Sequence, residues 1–129
     1  MRKLASDGKA NPRKLMHHRI NPDKCVEYMR EYGDLWFVEG YLVFFALSTP
    51  WYSDELILSE LLIVRVGPGG TLRDVARFLM DRAAVHGAAI VAVGTAYAKS
   101  DRALARLYEA QGFTVEAVML TARTPCALA

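Results

Sequence analysis

The chain has 129 residues, 53% of them hydrophobic and 23% charged, with a formal net charge of +2 from 16 basic and 14 acidic side chains. Length and composition suit one globular domain with a core of its own. A charge so close to neutrality argues against a dedicated nucleic-acid binder, which carries a stronger, clustered basic excess, and no apolar run reaches the roughly 18 residues of a membrane span.

The first 19 residues are the exception in charge, with Arg2, Lys3, Lys9, Arg13, Lys14 and Arg19 against the single acid Asp7. The ordinary reading is a solvated basic segment, and the other is a nucleic-acid or phosphate contact. No apolar stretch follows the basic start, so no secretory signal is expected. Met1 to Ala5 reads as a short strand, and Asp7 to Pro12 as turns. His17 and His18 are adjacent, so they diverge on a helix and oppose each other on a strand. With no third ligand beside them, no metal site is expected.

Asn21-Pro22-Asp23 reads as a helix start, with Asn as the cap and Pro at the first helical position. The helix is expected to run to about Tyr32 and stop at Gly33. The period then changes. Leu35 to Glu39 and Tyr41 to Ser48 are dense in aromatic and β-branched residues, with Gly40 between them, and predict an antiparallel hairpin. Thr49 to Glu55 is a loop, and Ile57 to Val66 is the third strand of the meander. Gly67-Pro-Gly-Gly70 turns into a helix from Thr71 to His86, ended by Gly87. Leu72, Val75, Ala76, Leu79, Met80 and Ala83 share one apolar face of it. Thr71 with Asp74 matches a capping box.

Ala88 to Thr95 is a continuous apolar run, expected as a strand buried on both faces. The intervening helix makes it parallel to the preceding strand, through a right-handed crossover. Ser100 or Asp101 caps a further helix with Ala103, Leu104 and Leu107 inward, ending at Gly112. Phe113 to Ala122 is the expected final strand, and Arg123 to Ala129 a fraying tail. Cys25 and Cys126 lack any ligand spacing and read as free thiols in a reducing cytoplasm.

The expected fold class is therefore α/β, more closely an α+β mixed sheet: an antiparallel meander followed by a parallel βαβ unit, with helices on both faces. One domain is expected, divided into 1–34, the meander 35–66, the second half 67–122 and the tail 123–129. Residues 58–87, a strand, a glycine turn and a helix, form a generic anion site. The helix N-terminus offers free N–H groups and the positive end of its dipole. The full GxGxxG and P-loop patterns are absent, and an ordinary tight turn is the plain alternative.

Asp101-Arg-Ala-Leu-Ala-Arg-Leu-Tyr-Glu-Ala-Gln-Gly-Phe113, following that strand-turn-helix and a buried strand, resembles the signature of the GNAT superfamily of acyl-CoA-dependent N-acetyltransferases, N-x-x-A-x-x-x-Y-x-x-x-G-F. Tyr108, Gly112 and Phe113 fall on its Tyr, Gly and Phe. The resemblance covers about residues 35–121. The chain departs from the family at Asp101, where Asn is common, and at Leu104, where the pattern has Ala. In the phosphate turn, [QR]-x-x-G-x-[GA], Gly70 takes the first glycine, while Gly67 and Leu72 stand at the outer positions.

The resemblance implies acetyl-CoA as co-substrate and no metal. The backbone N–H groups of Gly69, Gly70, Thr71, Leu72 and Arg73 would converge on its pyrophosphate, and Val64 and Val66 would pair with the pantetheine arm where two parallel strands splay. Acetyl would pass directly to a primary amine, of a small molecule or a protein, in a ternary complex. Tyr108 is the implied general acid. Glu60 is the candidate base, since a carboxylate among so many apolar neighbours has a raised pKa. Even spacing puts Glu60, Leu62, Val64 and Val66 on one face unless a bulge intervenes. Asp54, Glu55 and Glu39 are lesser candidates. Trp51 and Tyr52, in a loop beside Pro50, are the expected substrate contacts. The expected location is cytoplasmic, with no membrane or nucleic-acid partner and a homodimer left open. The competing readings are an inactive CoA-binding regulatory or viral accessory protein and, third, a nucleic-acid or protein-interaction module.

Overall fold

The computed structural model describes residues 20–95 and 100–127. Within them the chain forms α1 (Pro22–Glu31), β1 (Asp34–Val38), β2 (Tyr41–Ser48), β3 (Ile57–Arg65), α2 (Leu72–His86), β4 (Ile90–Ala92) and α3 (Asp101–Glu109), then a 3-10 turn at Pro125–Ala127. The strands make one sheet in the order β1-β2-β3-β4, antiparallel through β3 and parallel between β3 and β4. The fold is α+β with a mixed sheet. The expected strand at Met1 to Ala5, and His17 and His18, lie outside the described residues.

The helices start where local chemistry says they start. The Asn21 side chain accepts from the Asp23 and Lys24 N–H groups at 3.1 and 3.2 Å, and Pro22 has no N–H to leave unsatisfied. Thr71 and Asp74 form the reciprocal capping box, and Gly87 ends α2 in the left-handed region at φ 73°. At α3 the cap is Ser100, whose Oγ accepts from the Ala103 N–H at 3.2 Å.

The core lies between α2 and one face of the sheet. Val75, Leu79 and Ala83 of α2 pack with Val43, Phe45 and Leu58, and Phe78 meets the rings of Trp36 and Phe45. Fully burying side chains of this size contributes about 1.5–3 kcal/mol each. Met80, expected on that face, is 45% exposed, because it lies at the edge of the stripe. On the other face of the sheet, Tyr28 of α1 meets Phe44 edge-on, with ring centroids 6.2 Å apart.

Four expectations are corrected. First, the β2–β3 register shifts between Phe44 and Phe45, so Phe44 faces Leu62 while Phe45 faces Glu60, and Leu61 is left over. This bulge reverses the alternation. Glu60 therefore joins Phe45 on the α2 face, and Leu62 and Val64 point to the opposite one. Second, the strand expected over 88–95 is only Ile90–Ala92, with Ile90 and Ala92 exposed. The chain is tied off by other bonds on either side. The Ala88 N–H closes the end of α2 on Ala83 O, the Ala89 N–H reaches Leu56 O, and the Gly94 N–H goes to the Glu60 side chain. Third, Phe113 to Ala122 forms no strand. Val118 and Leu120 are 78% and 88% exposed there, since strand-forming residues need a ladder partner and none lies alongside among the described residues. Fourth, Ala103 and Leu107 of α3 are exposed, and Leu104, Ala105 and Tyr108 turn inward.

Candidate active site

The β3–β4 register begins at Ile57↔Ile90 and ends at Ser59↔Ala92. The next residue on β3 is Glu60. Its carboxylate Oε1 accepts the Gly94 N–H at 3.0 Å, so a side chain holds the two strands together where their ladder stops. From there β3 continues to Arg65 without a strand partner on its β4 side among the described residues. Burial pushes the Glu60 carboxyl up from 4.5 to about 7, against the lowering effect of the Gly94 hydrogen bond. The sequence-based expectation of a raised pKa holds, although the bulge has moved the carboxyl to the other face.

Tyr108 arrives from α3. It is buried, and its ring meets that of Phe113 edge-on at 5.3 Å. The turn after it closes on its own carbonyl, which accepts the Gln111 and Phe113 N–H groups. Burial above all, then the charge of Glu60, then Tyr41, raise the pKa of the Tyr108 hydroxyl well beyond its ordinary value. The charge of Glu60 thus reaches Tyr108, although the two lie far apart in the sequence. At neutral pH one keeps its proton, and the other sits near its midpoint and can take one up.

The glycine turn is built by close approach to the β1–β2 turn. The Val66 and Gly67 N–H groups donate to Gly40 O at 2.8 and 3.1 Å. A Cβ on Gly40 would stand 2.6 Å from Pro68 O and 2.9 Å from Gly69 O, at a φ of +88°. Only glycine fits there. Arg65 crosses under the turn, donating to Gly67 O, Gly69 O, Gly70 O and the Tyr41 hydroxyl.

Of the expected cradle donors, the Gly69, Gly70, Leu72 and Arg73 N–H groups make no hydrogen bond among the described residues. Thr71 differs, because its N–H donates to Asp74 Oδ2 at 2.7 Å. That capping carboxylate also places a negative charge at the helix start. On β3 the Val66 N–H is used by Gly40, and the alternation of an antiparallel ladder turns the backbone of Val64, opposite Leu42, to the same β2 side, so neither expected residue offers its backbone to the open edge, which Ile63 faces instead.

Trp51 and Tyr52 stand out from their loop, Trp51 at 95% exposure, and their rings meet edge-on at 5.5 Å. A groove of about 620 Å³ opens instead between α1 and the Phe44 face of the sheet, lined by Cys25, Tyr28, Tyr32, Phe44, Leu61 and Leu62 among others. Asp101 Oδ1 accepts from the Thr95 hydroxyl at 2.6 Å, so it acts as an acceptor there. Arg65 and Gly94 were not singled out by the sequence. Their roles depend on cross-strand neighbours, and an arginine ending a strand carries no spacing signal.

Among the described residues no cluster of three or more His, Cys, Asp or Glu could hold a metal ion, and no helix is long and apolar enough to cross a membrane. No family model, curated protein or solved structure matches this chain. Cys25 and Cys126 are both free thiols.

Proposed function

We propose that this chain is an acyl-CoA-dependent N-acetyltransferase of GNAT type, moving acetyl directly from acetyl-CoA to a primary amine. The observation that carries the reading is the buried Glu60 carboxylate at the point where β3 and β4 part, on the strand that ends in the glycine turn, with its charge acting on the buried Tyr108. The residues suit the co-substrate in two respects. The turn offers four N–H groups that are unengaged among the described residues, at a helix N-terminus, a setting that favours phosphate. The open edge of β3 at Ile63 offers backbone pairing to the amides of a pantetheine arm.

The thioester supplies an activated acyl group. In the proposed step Glu60 takes a proton from the amine, directly or through water. The amine nitrogen bonds the acetyl carbon, the carbon–sulfur bond breaks, and the Tyr108 hydroxyl gives its proton to the departing sulfur. A carboxyl near pKa 7 suits the first role, because a base works best near ambient pH. Tyr108 stays un-ionised and so has a proton to give, while its raised pKa makes it a weaker donor than an exposed tyrosine. Each contributes roughly 10²–10⁴-fold if correctly placed.

Thiol release from acetyl-CoA across a panel of small amines and peptides tests this. Turnover is expected, with Tyr108→Phe and Glu60→Gln each slowing it within that range. Turnover that both variants leave untouched would remove these roles. Binding of acetyl-CoA without thiol release would leave a CoA-binding protein, the second reading of the sequence.

A further inference from the structure

Arg65 is the last residue of β3 and sits opposite Tyr41 in the β2–β3 register. Its guanidinium lies over the Tyr41 ring, 4.3 Å from the centroid. Nη1 donates to Gly67 O at 3.0 Å and Gly69 O at 2.7 Å, and Nη2 to Gly70 O at 3.1 Å and the Tyr41 hydroxyl at 2.9 Å. A planar guanidinium can serve four acceptors from one rigid fork. A lysine ammonium, with three donors on a flexible stem, cannot reproduce that geometry.

These bonds have a directional consequence. In a trans peptide the carbonyl and the following N–H point in opposite directions. Holding Gly69 O toward the guanidinium turns the Gly70 N–H away from it. Pro68 O is lodged against Gly40, which turns the Gly69 N–H outward in the same way. Both glycines hold positive φ, 89° and 62°, a conformation that most side chains would resist. Through Tyr41 the same guanidinium also reaches one of the groups that hold up the Tyr108 pKa.

We infer that Arg65 is a positioning residue for acyl transfer: it fixes the peptide orientation of the glycine turn and the place of Tyr41, and so sets the phosphate-binding end of the site relative to Glu60 and Tyr108. It acts from behind the turn and touches no reacting atom. The inference rests on the transferase reading for the identity of the ligand.

The test compares Arg65→Lys with wild type on two thioesters, acetyl-CoA and S-acetyl-N-acetylcysteamine, which has no phosphate. The expected result is a rise of roughly tenfold in KM for acetyl-CoA, about one weakened hydrogen bond, with kcat within a few-fold and KM for the short thioester unchanged. A simple loss of structure moves both thioesters together, and that result, or an unchanged KM for both, overturns the inference. Calorimetric binding of CoA to both proteins, which needs no turnover, keeps this inference distinct from the transferase reading. Equal affinity in wild type and Arg65→Lys overturns the role of Arg65. Weaker binding by the variant, even without any thiol release, supports the role of Arg65 while removing catalysis. Failure of wild type to bind CoA overturns both.

Discussion

Replacing Glu60 with glutamine will flatten the stability of the chain between about pH 4 and about pH 8. The carboxyl titrates near 4.5 in an unfolded chain and at about 7 in the fold, a gap that corresponds to about 3 kcal/mol. The sign follows from which state holds the proton. Below the unfolded value both states are protonated, and Glu60 has no influence. As pH rises toward 7 the unfolded chain ionises while the fold keeps its proton, so stability falls. Above 7 the fold ionises too and the full cost stays in place. Glutamine is neutral throughout, and its carbonyl still accepts the Gly94 N–H. Wild type and Glu60→Gln will therefore be close in stability at about pH 4, and the variant will be more stable by up to about 3 kcal/mol at about pH 8. Urea unfolding followed by tryptophan fluorescence measures this, since Trp36 packs against Phe78 and the Arg82 guanidinium. Other titrating groups cancel in the difference between the two proteins. Parallel stability curves across that range, or a wild type that gains on the variant as pH rises, would refute a neutral Glu60 enclosed at the strand gap.

Two further substitutions probe the turn and the core. Asp74→Asn removes a carboxylate from the start of α2 and weakens the bond that occupies the Thr71 N–H. Titration calorimetry will show tighter binding of CoA, and thermal unfolding a loss of about 1 kcal/mol from the weakened cap; unchanged affinity would mean that no anion approaches this helix end. Leu79→Ala empties a fully buried position between α2 and the sheet, and chemical unfolding will show a loss of about 2–5 kcal/mol.

What was legible in the sequence is what neighbours along the chain decide. The caps at Asn21 and Thr71 and the stop at Gly87 need only residues within a turn of themselves, and each stands where the sequence predicts it. The apolar stripe of α2 follows from the helical period, and the β1–β2 hairpin from aromatic and β-branched runs around Glu39-Gly40. The rise in the Glu60 pKa was legible too, because an acid in so apolar a strand has few polar surroundings in any packing.

Tertiary structure decided the rest, because it depends on partners that are distant in sequence. The slip at Phe44/Phe45 is a property of two strands together, and it carries Glu60 to the α2 face against the even spacing of β3. Phe113 to Ala122 has the composition of a strand, yet a strand exists only through its neighbour's hydrogen bonds, and none runs beside it among the described residues. The Gly94 N–H, the Tyr108 hydroxyl and the Arg65 guanidinium each gain their meaning from a group on another element. Composition and period therefore determined the helices, the β1–β3 meander and the glycine turn. Only the three-dimensional packing brought a half-titrated carboxyl within electrostatic reach of a buried tyrosine, because burial and charge act through space rather than along the chain.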